Sequence, residues 1–202
     1  MNKGGVFLLS GPSGSGKDTL LSALFAAHPE LLFSISSITR PMREGEREGE
    51  KYHFITRERF ENMIEQDELL EYNIFVDNYY GTPRKPVEEA LQSGKDMIIE
   101  VDVNGAAQIR RKLPDAVSVF VMPPSLAELK RRLSSRGTET DELIQKRLQC
   151  ALDEIARAVE YDYIVVNNEI ATAAEQLYAI ILSNHLKTDK QMELMNEVLS
   201  TC

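Results

Sequence analysis

The sequence has few of the residues on which several protein classes depend. Its 202 residues include only two cysteines, Cys150 and Cys202, which give neither a disulfide framework nor a metal-ligand spacing. No apolar run approaches the ~18 residues of a membrane span, and no basic, apolar leader precedes the first predicted strand. We therefore expect a cytoplasmic protein that has no membrane partner.

An excess of positive charge is also missing. The chain carries 23 Lys and Arg residues against 32 Asp and Glu residues, a formal net charge of −9 at pH 7. Such a surface does not attract nucleic acid as a whole, so we expect no nucleic-acid partner and only local phosphate-binding surfaces. With 43% hydrophobic and 27% charged residues, the composition is typical of a globular protein, long enough for one domain with insertions.

A glycine-rich stretch at residues 11–19 is the most informative feature that is present. It follows an apolar run at residues 5–9 and precedes apolar positions at residues 20–25, which predicts the order strand, loop, helix. Gly11, four further residues and Gly16-Lys17 match the P-loop, in which backbone N–H groups surround a polyphosphate and the lysine reaches its outer phosphates. The predicted helix directs its positive end at the same anion.

The residue after the P-loop lysine departs from the usual pattern. It is normally Ser or Thr, whose hydroxyl binds Mg²⁺, but here it is Asp18, and the hydroxyl follows at Thr19. An aspartate can hold Mg²⁺ directly or through water, or it can simply favour the N-terminus of the helix; the sequence leaves both interpretations open. A dinucleotide-binding fingerprint is excluded, because Thr19 stands where that motif needs a glycine.

The segment at residues 36–54 is dense in charge, contains two glycines and lacks helical periodicity. We expect a loop-rich segment that ends in a strand at residues 52–55. Arg40 and Arg43 stand close together beside hydroxyl residues, a set that suits a phosphate dianion, although such charge runs are usually only solvated.

A helix at residues 56–66 follows, with Thr56 as its N-cap. Two β-rich pieces come next, joined by Asp77-Asn78 as the turn of a predicted hairpin. Residues 36–83 are therefore expected to form a mixed, mostly strand-like insertion.

The rest of the chain alternates between strands and helices. The predicted strands are residues 5–9, 31–35, 97–102, 117–122 and 163–166, and the later helices are residues 84–93, 105–112, 125–135, 141–160, 171–186 and 189–199. This alternation predicts an α/β fold, a P-loop doubly wound parallel sheet with helices on both faces, whose ligands bind outside the carboxyl ends of the strands. The 141–160 helix has one apolar stripe that is expected to lie in the core: Ile144, Leu148, Ala151, Leu152, Ile155 and Val159.

Several separated motifs occur in a fixed order along the chain. They are the P-loop at residues 11–19, Thr39-Arg40-Pro-Met-Arg43-x-Gly45-Glu46-x-x-Gly49-x-x-Tyr52-x-Phe54, Glu71, Tyr79-Tyr80-Gly81-Thr82, Glu100-Val-Asp102-Val-Asn-Gly105, Arg136-Gly137-Thr138-Glu139 and Val166-Asn167. Through this ordered set the chain resembles the guanylate kinases over residues 5–185. It departs from them at Asp18 and at Glu100, where aspartate is commoner.

The resemblance implies an enzyme that transfers the γ-phosphoryl group of ATP to GMP, and to dGMP, in guanine nucleotide metabolism, with Mg²⁺ as cofactor. It also implies three parts. A core P-loop domain comprises residues 1–35, 84–126 and 158–202, a GMP-binding domain comprises residues 36–83, and a mobile helical lid comprises residues 127–157. The oligomeric state is not indicated.

The resemblance further implies a role for individual residues. ATP is assigned to Gly11, Pro12, Ser13, Gly14, Ser15, Gly16, Lys17, Asp18, Thr19 and Asn168. GMP is assigned to Ser36, Arg40, Arg43, Tyr52, Glu71, Tyr80, Thr82 and Asp102. Catalysis is assigned to Lys17, Arg40, Arg132, Arg136 and Arg147, and Mg²⁺ to Asp18, Thr19 and Glu100.

Two alternatives remain from the same residues. A lysine–aspartate P-loop also resembles that of the related ribose 1,5-bisphosphate kinases, which do not need a guanine-binding set such as Arg40, Arg43, Tyr52 and Glu71. A non-catalytic guanylate-kinase-like interaction module typically has a degraded P-loop, whereas Lys17 here keeps its neighbouring glycines.

Overall fold

The computed structural model of the chain describes residues 4–134 and 141–201. The strands are β1 (Val6–Ser10), β2 (Leu32–Phe33), β3 (Ser36–Ile38), β4 (Tyr52–Phe54), β5 (Leu69–Phe75), β6 (Asn78–Pro83), β7 (Met97–Glu100), β8 (Val117–Met122) and β9 (Tyr163–Val166). The helices are α1 (Lys17–Ala27), α2 (Arg57–Glu65), α3 (Arg84–Gln92), α4 (Val103–Lys112), α5 (Leu126–Ser134), α6 (Asp141–Ala156), α7 (Ile170–His185) and α8 (Met192–Ser200), with 3₁₀ turns at Arg157–Glu160 and Thr188–Lys190.

Five strands form a parallel sheet in the order β2-β7-β1-β8-β9. Along β1, Phe7 and Leu9 share a core cluster with α1 and α7, whereas Val6 and Leu8 share one with α3 and α4. Because helices cover both faces, the strands are nearly continuous apolar runs rather than alternating ones. The predicted α/β fold with a central parallel sheet is confirmed.

Four short strands form a second sheet in the order β4-β3-β6-β5. Strand β3 pairs in parallel with β4 and antiparallel with β6, and α2 packs below them through the fully buried Phe60, which stacks on Tyr79 at 4.9 Å. The predicted loop is therefore wrong at its start, where Ser36–Ile38 is a strand. Three residues are too few to show strand periodicity, and both pairing partners are distant in sequence.

The hairpin between β5 and β6 is confirmed, but its turn lies one residue earlier than predicted. Val76 and Asp77 occupy the turn, with φ of 45° and 61°, as in the two-residue hairpin loops that follow the strand twist. Asn78 already belongs to β6, and its side chain donates to the Val76 carbonyl at 2.8 Å. Valine is rare at positive φ, so the sequence pattern favoured the Asp-Asn pair instead.

Helices α5 and α6 pack on each other through a small cluster centred on Leu129, Leu133 and Ala151. The expected core stripe of α6 is wrong at two positions, because Leu152 is 40% exposed and Val159 is 88% exposed. The helix gives way to a 3₁₀ turn after Ala156, which rotates the later residues away from the stripe. In the parts of the chain that the structure describes, no helix has the length and apolar character needed to cross a membrane.

Helix α4 fastens the second sheet to the parallel sheet. The Gln108 side chain exchanges two hydrogen bonds with the backbone of Tyr72 on β5: its Oε1 accepts at 3.3 Å and its Nε2 donates at 3.0 Å. One turn later, Lys112 Nζ donates to the Leu69 carbonyl at 2.8 Å. The second sheet is thereby held beside the carboxyl end of β7, where α4 begins.

Candidate active site

A cavity of about 700 Å³ lies at the carboxyl ends of β1 and β7, between the parallel sheet and the second sheet. Most of the predicted site residues line it: Gly11, Ser13, Gly14, Gly16, Lys17, Asp18, Thr19, Ser36, Arg40, Arg43, Tyr52, Glu71, Tyr80, Glu100, Asp102 and Arg132. One wall is therefore the glycine loop, and the opposite wall belongs to residues 36–83. Two ligands bound to the two walls would meet inside one cavity.

The glycine loop owes its shape to backbone conformations that other residues rarely adopt. Gly16 has a φ of 88°, and a Cβ there would lie 2.4 Å from the Asn167 side-chain nitrogen, which donates to the Ser15 carbonyl at 2.9 Å. The Lys17 side chain extends back across the loop, where its Nζ donates a hydrogen bond to the Gly11 carbonyl at 2.6 Å. Burial lowers the pKa of the Lys17 ammonium, although the carboxylates around it oppose that shift. The Lys17 side-chain nitrogen therefore lies at the loop, where the lysine of a P-loop meets a bound anion.

On the opposite wall, Glu71 is a buried carboxylate that accepts a hydrogen bond from Thr82. It is 7% exposed on β5, and its Oε1 accepts a hydrogen bond from the buried Thr82 hydroxyl at 2.7 Å. Burial raises the pKa of Glu71 to about 7, against the lowering effect of the Thr82 bond. On the other side, a Cβ added to Gly105 would lie 2.9 Å from Glu71 Oε2, so the glycine leaves room for this carboxylate.

Arg40 is held in place by Glu46, for which the sequence predicted no role. Glu46 grips its guanidinium with both oxygens, at 2.7 Å and 2.6 Å, and also accepts from the Arg43 backbone N–H at 2.8 Å. The bond to Arg40 lowers the pKa of Glu46 to about 2. The guanidinium lies 5.4 Å from the centre of the Tyr52 ring, and its buried Nε has no hydrogen-bond partner among the described residues. Arg40 also lines the cavity.

Asp102 joins the two walls. Its Oδ1 caps α4 by accepting from the backbone N–H groups of Asn104 at 2.9 Å and Gly105 at 2.7 Å, while its Oδ2 accepts from the Asn73 amide at 2.8 Å. Asn73 lines the same cavity and was not predicted. No local pattern marks it, since its partner lies 29 residues away.

Asp18 and Glu100, two of the predicted Mg²⁺ ligands, are brought together by a third unpredicted residue. Lys51 Nζ contacts Asp18 Oδ1 and lies 3.1 Å from Glu100 Oε2. Two carboxylates that already share one cation have the hard oxygen donors that Mg²⁺ prefers, so this donor set fits the metal. Thr19 lines the cavity beside them.

The remaining predicted residues have varied surroundings. Arg132 donates to the carbonyls of Ser15 at 3.2 Å and Asn167 at 3.1 Å, and Arg147 donates to the Ser13 hydroxyl at 2.6 Å. These two of the three predicted lid arginines thus lie against the glycine loop. Pro12, Ser15 and Thr82 are buried and Asn168 is exposed; Arg136 lies outside the described residues.

Comparisons with known proteins agree on one family. The guanylate kinase family model matches residues 3–184. A guanylate kinase of Desulfitobacterium hafniense (strain Y51) is 47% identical over 190 residues, covering 94% of this chain and 95% of the relative. One of Halalkalibacterium halodurans is 45% identical, covering 98% and 97%. The crystal structure of the guanylate kinase from Anaplasma phagocytophilum superposes with a TM-score of 0.79 at 31% identity, covering 99% of this chain and 96% of that one.

Proposed function

The chain belongs to the guanylate kinase family, whose enzymes phosphorylate GMP at the expense of ATP, and from this we propose how its cavity divides between the two substrates. ATP binds to the glycine loop, and GMP binds to the wall formed by residues 36–83. The observation that carries the proposal is the buried Glu71 carboxylate, which faces into the same cavity as the P-loop Lys17. A P-loop alone would fit many kinases, whereas Glu71 selects the acceptor.

The Glu71 carboxylate provides the chemistry for reading guanine. It can accept hydrogen bonds from guanine N1–H and the 2-amino group together, and adenine offers neither donor. Because a site built on such bonds leaves buried groups unpaired when the wrong base enters, it can reject that base by ~10⁴ or more. Thr82, which holds one Glu71 oxygen at 2.7 Å, together with Ser36 and Asp102, completes the proposed base site.

The acceptor phosphate is assigned to Arg40, Arg43, Tyr52 and Tyr80. The two hydrogen bonds from Glu46 fix the Arg40 guanidinium before substrate arrives, and Arg40 and Arg43 both line the cavity. Planar guanidinium groups suit such dianions. Since the second pKa of a phosphate monoester is ~6, GMP is largely a dianion at neutral pH and needs no general base.

Phosphoryl transfer then depends on position and charge. Lys17 and the loop N–H groups hold the outer phosphates of ATP, and the lid residues Arg132, Arg136 and Arg147 neutralise charge around the transferring group. Mg²⁺, bound by Asp18 and Glu100 with Thr19, would supply further neutralisation of the donor phosphates. Asn168 is assigned to the adenine of ATP.

We place this reaction in guanine nucleotide metabolism and GMP recycling, with dGMP as a second acceptor. The setting proposed is the cytoplasm, where the exposed free thiol of Cys150 fits a reducing compartment.

The direct test is phosphoryl transfer from Mg·ATP to a panel of GMP, dGMP, AMP, UMP and ribose 1,5-bisphosphate, with both products followed. We expect turnover of GMP and dGMP and at least ~10⁴-fold lower kcat/KM for AMP. Preferential turnover of ribose 1,5-bisphosphate would contradict the assignment of Glu71. Binding of ATP without any transfer would favour an interaction module instead.

Replacing Gly105 by alanine is expected to raise KM for GMP by roughly tenfold, because the new methyl group pushes on Glu71 Oε2, and overpacking costs about 1–3 kcal/mol. KM for ATP should stay within about twofold. Alanine favours a helix more than glycine does, by about 1 kcal/mol, which offsets part of the overpacking cost, so the melting temperature should fall by only a few degrees. Steady-state kinetics with each substrate varied in turn measure this, and an equal rise in both KM values would show a general disturbance of the cavity.

A further inference from the structure

Lys51 connects the two walls of the cavity. It lies just before β4, next to Tyr52, and thus belongs to residues 36–83. Its two partners belong to the other wall: Asp18 stands in the first turn of α1, and Glu100 ends β7. One side-chain nitrogen therefore ties the GMP side of the cavity to the ATP side.

The Lys51 ammonium forms an ion pair with each of the two carboxylates. The Glu100 side chain is 16% exposed and the Lys51 side chain is 40% exposed, so solvent screens this pair less than it screens the pair with Asp18, which is 71% exposed.

The same two carboxylates are the oxygens that the proposed function assigns to Mg²⁺. A lysine ammonium and a divalent cation cannot share these oxygens without strong like-charge repulsion at short distance. Mg²⁺ also requires near-octahedral oxygen geometry, which leaves no place for a nitrogen that contacts both carboxylates. Occupation by one cation therefore excludes the other.

We propose that Lys51 is a positioning residue that competes with Mg²⁺ for Asp18 and Glu100, so that the metal arriving with ATP displaces the ammonium and releases residues 36–83 from the ATP wall. Without metal, Lys51 keeps the two carboxylates together and neutralised. When Mg·ATP is bound, Lys51 no longer contacts Asp18 and Glu100, and the two walls are no longer connected through it. The inference rests on the proposed function, because it takes Asp18 and Glu100 as the metal ligands.

The test is Mn²⁺ binding, measured by electron paramagnetic resonance on the full chain saturated with ADP, since Mn²⁺ accepts the same oxygen ligands as Mg²⁺. Lys51→Met and Lys51→Gln should each bind Mn²⁺ roughly tenfold more tightly than the wild type, because the competing cation is gone. Lys51→Arg keeps the charge and should restore the wild-type affinity. The matched control is Lys85→Met, which removes the same charge from an exposed pair with Glu89 on α3 and should change nothing.

A second measurement uses the metal alone. Without nucleotide, millimolar Mg²⁺ should raise the melting temperature of Lys51→Met by several degrees and leave that of the wild type unchanged, because only the variant has two unneutralised carboxylates side by side. Unchanged or weaker Mn²⁺ binding by both uncharged variants would overturn the inference.

Two further variants, Asp18→Asn and Glu100→Gln, show whether a negative result contradicts the competition by Lys51 or the assignment of Asp18 and Glu100 to the metal. Each should weaken Mn²⁺ binding in the ADP complex. If they do so while Lys51→Met has no effect, only the competition is wrong. If neither weakens it, the metal assignment fails, and the inference fails with it.

Discussion

Replacing Glu71 by glutamine is expected to raise KM for GMP by about 10²–10⁴-fold while KM for ATP changes less than about twofold. In the proposed complex the carboxylate would accept from two guanine donors, and hydrogen bonds to a charged group are worth about 1.5–3 kcal/mol each. Glutamine keeps the shape but presents its own N–H donors to those of the base. The matched control is Glu68→Gln, which removes an exposed carboxylate paired with Arg59 just before β5 and should leave both KM values unchanged.

The same change should make the free protein more stable at alkaline pH. Folding raises the pKa of Glu71 from 4.5 to about 7, so the stability contributed by its protonated form is complete below pH 4.5 and is lost as the pH rises through 7. Glutamine does not ionise. The variant should therefore gain about 2–3 kcal/mol over the wild type at pH 8 and little at pH 4.5, measured by urea unfolding at both pH values. A loss of stability at pH 8 would mean that the carboxylate is needed for the fold.

Replacing Lys17 by methionine is expected to lower kcat by about 10²–10³-fold, the effect of removing one preorganised donor to the developing charge. Methionine keeps most of the apolar stem but loses the ammonium that now donates to the Gly11 carbonyl. Since burial already disfavours the Lys17 charge, its removal should not destabilise the fold.

Single-turnover kinetics with saturating ATP and GMP measure the chemical step, and calorimetry of GMP binding alone should give the wild-type affinity. Lys85→Met again serves as the control of equal charge. If kcat falls by less than tenfold, Lys17 does not stabilise the transition state as proposed.

The features that the sequence predicts well are those encoded within short segments. The glycine loop is one, because its conformation depends on glycines a few residues apart, such as Gly14 and Gly16 with φ near 88°. The buried strands are another, since β1 and β8 are continuous apolar runs covered on both faces. Glu71 and Asp102 were found only through the family resemblance; the structure then brought them into one cavity.

The residues that sequence reasoning missed act across long separations. Lys51 is 33 residues from Asp18, and Asn73 is 29 from Asp102, so no periodicity links either pair. Their meeting depends on how the second sheet docks beside β7. Glu46 was missed for a different reason: it stands in a charge-dense segment, where a carboxylate is ordinarily solvated, and only the fold shows that it grips Arg40.

The two bonds between Gln108 and the Tyr72 backbone have a consequence for solubility. Strand β5 is the last strand of the second sheet, and an open strand edge is a template for pairing with another molecule. The risk is greater because Ile74 and Phe75 at the end of β5, and Val76 in the turn after it, are more than half exposed. Gln108 occupies the unpaired backbone groups of Tyr72 as a neighbouring strand would, and Lys112 does the same at Leu69. Helix α4 thus covers this edge and keeps it from pairing with a strand of another molecule.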